Sequence, residues 1–115
     1  MSDKNKWILY DNGSSMGHCG TEKGIITRDE EHVEGARITL EEDGRAPFAI
    51  TCGIYGWMVH TCFFGSRQKV ESEYERIKDE LVMLLSIIPS EDGPDPEDKL
   101  EPASNAISQF VERHW

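Results

Sequence analysis

ARITLEEDGRAPFAITC, residues 36 to 52, is the stretch on which the fold turns. Ala36, Ile38 and Leu40 alternate with Arg37, Thr39 and Glu41, the period of two that sends successive side chains to opposite faces of a strand. Asp43-Gly44 then supplies a hairpin turn pair, and Phe48, Ile50 and Cys52 resume the apolar alternation beyond it. The stretch therefore predicts two antiparallel strands with one shared apolar face.

On the C-terminal side, Gly53-Ile54-Tyr55-Gly56 reads as a second turn or a bulge that leads into a strand from Trp57 to Phe64. Carrying the hairpin register through it places Trp57, Val59, Thr61 and Phe63 on the inner face and turns Met58, His60, Cys62 and Phe64 outward; a slip of one residue exchanges the two sets. On the N-terminal side, Gly24 to Arg28 reads as a short strand followed by an exposed acidic cluster, Asp29-Glu30-Glu31. Trp7 to Tyr10 is a first strand closed by the turn Asp11-Asn12-Gly13. Between them, residues 11–24 hold four glycines and no period, and read as a mobile loop.

Beyond Gly65, Ser66 is placed to cap a helix whose apolar stripe is Val70, Tyr74, Ile77, Leu81, Leu84 and Ile88. Its last turns, Leu81 to Ile88, are apolar nearly all round, and Pro89 stops it. Residues 89–101 read as an acidic, proline-containing linker, and Pro102 to Trp115 as a second, shorter helix with Pro102 in its first turn. The whole is a single α+β domain over residues 1–115: an antiparallel β-meander of four to five strands packed against a long helix, with a shorter C-terminal helix.

Composition narrows the function. At 115 residues the chain suffices for one core. Twelve basic against 22 acidic side chains give a net charge of −10, which disfavours nucleic acid and anionic membrane surfaces as partners. No apolar run suits a membrane span or a signal peptide, and three cysteines form an odd set, so the expectation is a cytoplasmic protein with reduced thiols.

The chemistry-bearing residues are few. Gly13-Ser14-Ser15-Met16-Gly17 matches the letters of a serine-hydrolase elbow without its strand-to-helix context. Cys19, between His18 and Gly20, is a candidate nucleophile, with His18, His60 or His32 as a base. His18, Cys19, His32, Cys52, His60 and Cys62 are zinc-ligand types, but only His60-x-Cys62 is a near pair, and adjacent residues such as His18 and Cys19 rarely bind one ion together. No metal and no cofactor is expected. Two surfaces point instead to a protein partner or to a homodimer: an apolar surplus on Met58, Phe64, Met83 and Ile87, and the acidic clusters Asp29-Glu30-Glu31 and Glu41-Glu42-Asp43, suited to a basic partner. The leading expectation is a non-catalytic interaction or regulatory protein. The alternative is a small enzyme or ligand-binding protein that uses the glycine-rich loop.

Overall fold

The alternation in residues 36–52 is realised as the middle of a five-stranded antiparallel sheet in the order β1-β2-β3-β4-β5. The computed structural model describes residues 7–87 and 97–113, the side chains of the second segment from residue 105 onward. The strands are β1 (Trp7–Leu9), β2 (Ile25–His32), β3 (Ala36–Glu42), β4 (Phe48–Ile54) and β5 (Met58–Phe64), followed by helices α1 (Arg67–Ile87) and α2 (Glu97–Arg113). This is the expected α+β meander.

Cross-strand pairing sets Ile38 opposite Cys52 and Leu40 opposite Ile50, so their side chains share a face. The stripe of α1 lies on that face: Val70, Tyr74, Ile77, Leu81 and Leu84 are buried with Ala36, Ile38, Leu40, Ile50 and Cys52 in one core. Ser66 caps α1 as its position predicts, its hydroxyl accepting the Lys69 N–H at 3.1 Å. The last turns of α1 are covered from a second side by α2, which inserts the buried Phe110 and packs Ala106, Ile107 and Val111 against the same core. Met83 and Ile87 remain exposed, as expected. Ile88 and residues 89–96 of the expected linker lie outside the described residues, whereas 97–101 are already helical. The second helix thus begins before Pro102.

Two expectations are corrected. The first is the parity of β5. Ile54 pairs with Met58, Ile50 with Cys62 and Phe48 with Phe64, so these β5 residues join the helix-facing side. Met58 and Phe64 are half-buried against the core and Cys62 is buried, while Val59 and Phe63 are 80% and 52% exposed on the opposite face. The cause is a three-residue loop, Tyr55-Gly56-Trp57. The Trp57 N–H donates to the Ile54 carbonyl at 2.9 Å, and Gly56 takes φ +82° at the third position of the turn, which a type II turn reserves for glycine. Met58 and Phe64 therefore are not free to form an outward strip.

The second correction concerns Asp29-Glu30-Glu31, which is not an exposed turn: β2 runs straight through it to His32. A bulge at Thr27 shifts the register between Ile26 and Arg28, and the strand then carries Arg28, Glu30 and His32 on the helix-facing side and Asp29 and Glu31 on the other. Glu30 accepts hydrogen bonds from Tyr74 Oη at 2.9 Å, Lys78 Nζ at 2.9 Å and Arg28 Nη2 at 3.2 Å, which ties α1 to β2 through charge. Asp29 is wholly buried. Asp43-Gly44 opens the expected hairpin between β3 and β4, within a five-residue loop from residue 43 to 47.

Two predictions follow from this packing. Replacing Ile50 with Ala should cost roughly 2–5 kcal/mol, while Val59→Ala stays within about 0.5 kcal/mol. Chemical denaturation of both variants checks the register of β5, because the opposite ranking would restore the other parity. Burial raises the Glu30 carboxyl, but the hydrogen bonds from Lys78 and Tyr74 and the charges of Lys78 and Arg28 outweigh it and hold the group below its ordinary 4.5. A carboxyl depressed in the folded state stabilises the protein above its unfolded pKa and loses that contribution as pH falls through the folded one. Unfolding free energies of the wild type and Glu30→Gln should therefore differ most at neutral pH and converge once pH drops well below 4.5; a constant gap across that range would remove Glu30 from the linkage.

Candidate functional site

The helices cover one face of the sheet, and the candidate site is the other. There β3, β4 and β5 present a row of threonines: Thr39 is paired with Thr51, and Thr51 with Thr61. Thr51 and Thr61 are hydrogen-bonded at 3.1 Å between their hydroxyls. Asp29 continues the row on β2, opposite Thr39. Small side chains in this row, and Gly53 beside it, leave a groove of about 850 Å³ above the sheet. Its floor includes Arg37, Thr39 and Thr51; one wall is the segment Cys19–Thr21 and the other the β4–β5 loop with Tyr55 and Trp57, together with Val59 of β5.

Charged groups beneath and beside this groove are paired. Arg37 grips Asp29 with two hydrogen bonds, Nε to Oδ1 at 3.0 Å and Nη2 to Oδ2 at 2.7 Å. Thr39 and Ser15 hydroxyls complete the carboxylate, donating at 3.3 and 2.8 Å. The hydrogen bonds from Arg37 to Asp29 outweigh burial and raise the Arg37 pKa further above its usual value, so the guanidinium is a fixed cation. It also stacks over the Tyr10 ring at 3.5 Å. Tyr55 donates its hydroxyl to Glu31 at 2.6 Å, and burial together with that carboxylate pushes its pKa up to about 12.

The wall formed by the loop is anchored by Glu41, whose buried carboxylate accepts the backbone N–H groups of Glu22 and Gly24, each at 3.1 Å to Oε1. A Cβ at position 20 would overlap that carboxylate, so a larger residue there would displace Glu41 from the N–H groups it holds. Gly17 N–H bonds to the Ile26 carbonyl at 2.8 Å, and Ile26 N–H to the His18 carbonyl at 2.9 Å. Residues 11–24 are thus a loop, as expected, but one hydrogen-bonded to the sheet along much of its length, where the sequence alone suggested a mobile one.

The candidate catalytic and metal residues do not converge. His18 and Cys19 are exposed on the loop, above the open face. His32 and His60 belong to the helix-facing side, paired with Ala36 and Cys52. His32 is buried edge-on against Trp7, ring centroids 5.1 Å apart, and its Nδ1 accepts the Glu34 N–H at 3.1 Å. The sheet therefore stands between Cys19 and both histidines proposed as its more distant bases. Cys62 is also on the helix side, and burial pushes Cys62 up to about 11 and Cys52 to about 12, away from thiolate chemistry. Among the described residues, no three His, Cys, Asp or Glu side chains gather closely enough to hold a metal ion.

Of the acidic interaction residues, Asp29 and Glu30 are used up in ion pairs on opposite faces, Glu31 and Glu41 border the open face bound to Tyr55 and to loop N–H groups, and Glu42 is paired with Arg67. The groove residues Arg37, Thr39, Thr51 and Tyr55 match no reactive motif and carry one signal in the sequence. They include the polar half of the same alternation whose apolar half defines the core.

The chain matches no protein-family model, no curated protein and no solved structure.

The thiols offer a direct check on this arrangement. Ellman's reagent at neutral pH should titrate Cys19 alone in the folded protein, and all three cysteines after denaturation. A second fast equivalent in the native state would place Cys52 or Cys62 at the surface and contradict the assigned faces.

Proposed function

We propose that this chain is a non-catalytic binding protein whose open sheet face receives a segment of a basic protein partner. The observation that carries the reading is the groove of about 850 Å³ on the uncovered face, bordered by the exposed side chains of Tyr55 and Val59. An antiparallel sheet left open on one face is ready to meet a partner, and exposed aromatic and branched side chains beside a groove suit partner anchors. A net charge of −10 favours encounter with a cationic polypeptide and repels anionic polymers. The separation of Cys19 from His32 and His60 supports binding rather than thiol chemistry. Three unbridged cysteines suit a reducing compartment such as the cytoplasm, and no helix among the described residues is long and apolar enough to cross a membrane.

A second reading has an observation of its own. The groove volume lies within the range of small-ligand sites, and exposed Cys19 lines its rim. In that case the loop would close over a ligand rather than beside a polypeptide.

A photo-reactive phenylalanine analogue at Tyr55, with Met83 on the helical side as control, separates the two in the native host. The expected result is a cross-link from position 55, and not from position 83, to a protein of basic isoelectric point. It should weaken with added salt and disappear when Thr51→Trp fills the groove. No protein adduct at position 55, with a small bound molecule retained in native mass spectrometry of the wild type and lost in Thr51→Trp, would replace the first reading by the second. An adduct that survives Thr51→Trp would move the partner off this face altogether.

A further inference from the structure

We infer that Arg37 holds the main chain of the polypeptide in the groove: the guanidinium N–H groups that Asp29 leaves unspent donate to a main-chain carbonyl oxygen of the bound segment. The inference rests on the groove being the binding site, and adds the atom by which its occupant is held.

An arginine side chain carries five N–H donors in a planar fork and no acceptor. Asp29 takes two of them, one from Nε and one from Nη2, along a single edge of the Arg37 guanidinium. The outer edge, Nη1 with the second hydrogen of Nη2, meets no acceptor among the described residues. Arg37 lines the groove, and its side chain is 34% exposed. The direction of that outer edge is set from two sides. The wholly buried Asp29 carboxylate fixes the fork, and the Tyr10 ring lies against it at 3.5 Å. A donor held in this way loses little freedom when an acceptor arrives.

The rest of the floor is donor-rich in the same sense. Its carboxylates are engaged: Asp29 by Arg37, Thr39 and Ser15, and Glu41 by the N–H groups of Glu22 and Gly24. The Thr51 and Thr61 hydroxyls share one hydrogen bond, which uses one of their two protons and leaves the other. A floor with engaged carboxylates and unspent donors calls for an occupant that brings acceptors.

Charge decides which acceptor. Asp29 balances Arg37 at 2.7 Å, and Glu31 and Glu41 stand on the same face, so an anionic oxygen over Arg37 would face two further carboxylates. A main-chain carbonyl accepts without charge, and every residue of a polypeptide brings one. Lysine and arginine side chains offer no acceptor at all, so a basic segment meets these donors through its backbone. An arginine in the floor is therefore compatible with a cationic partner.

The test uses the protein captured by cross-linking at position 55, as a synthetic peptide of the segment that carries the cross-link. Two variants remove the outer edge. Arg37→Lys keeps the ion pair with Asp29 but has no second planar edge, and Arg37→Met with Asp29→Leu removes both charges, so no buried carboxylate is left alone. Both keep the net charge at −10, and circular dichroism with cooperative unfolding verifies the fold of each. The dissociation constant of the peptide should rise about tenfold or more in both, with its salt dependence unchanged. Replacing the peptide's amides one at a time by esters weakens each carbonyl as an acceptor. One ester should cost affinity against the wild type and far less against Arg37→Lys, so that the two changes couple. Wild-type affinity in either folded variant, or no coupling at any ester, would overturn the inference and leave the groove as the site. A captured segment that is the partner's free C-terminus, and loses its affinity on amidation, would overturn it too and assign Arg37 to a carboxylate. If position 55 gives no protein adduct, the reading of the groove fails and this inference with it.

Discussion

Five strands present two faces, and the helices α1 and α2 cover only one of them. The rest of the structure answers that constraint. On the covered side the solution is a row of apolar residues from β3 and β4 against the stripe of α1. Among the described residues the open side has no such layer, and its polar groups are satisfied locally: threonine to threonine, arginine to aspartate, and loop N–H groups to the Glu41 carboxylate. The groove is the space that remains where those side chains are small.

Two adjacent carboxylates show how closely the faces are specified. Asp29 and Glu30 follow each other in β2, so the pleat sends them to opposite sides of the sheet. Either one, buried without a counter-charge, would cost several kcal/mol or more. Each meets its own cation, Arg37 for Asp29 and Lys78 for Glu30, at 2.7 and 2.9 Å. Because the sheet separates them, the neighbouring negative charges do not share a site, and a segment with the composition of a solvated turn becomes a central part of the structure. The same alternation makes β2 intolerant of slippage: a shift of one residue would present Asp29 to the apolar core and Glu30 to Arg37.

The sequence carried the parts of the fold that are repeated in it. Alternation over residues 36–52, the stripe of α1 and the Ser66 cap are each supported by several residues at fixed spacing, and the structure follows them. It concealed the parts that depend on a single count or on a distant partner. Trp57 looks like the first apolar residue of a strand, yet it is the last residue of a three-residue loop, and that count alone inverts every side chain of β5. Asp29 and Glu30 looked exposed because Arg37, Tyr74 and Lys78, the residues that make their burial possible, are eight to 48 positions away. The candidate site was hidden for a related reason. Reactive residue types draw attention, whereas a groove floor of threonines and one paired arginine is defined only when three strands are side by side.

The glycine-rich segment brings these strands of argument together. Glycine raises the entropy cost of ordering a loop, and four of them between residues 11 and 24 suggest a chain that would not be held. Yet Gly20 and Gly24 are where the backbone passes too close to Glu41 and Glu42 for a side chain, Gly17 takes φ +86°, and Gly13 takes φ +84° at the end of a tight turn. These glycines make a close approach to the sheet possible, and the hydrogen bonds gained there offset the ordering cost. Ser15, reaching Asp29 across 14 residues of sequence, fixes the same loop to the charged pair beneath the groove. The loop thereby becomes a wall of the site and carries Cys19 to its rim, while the sheet it lies on keeps His32 and His60 on the far side. One arrangement both builds the groove and puts the sheet between Cys19 and its two more distant candidate bases.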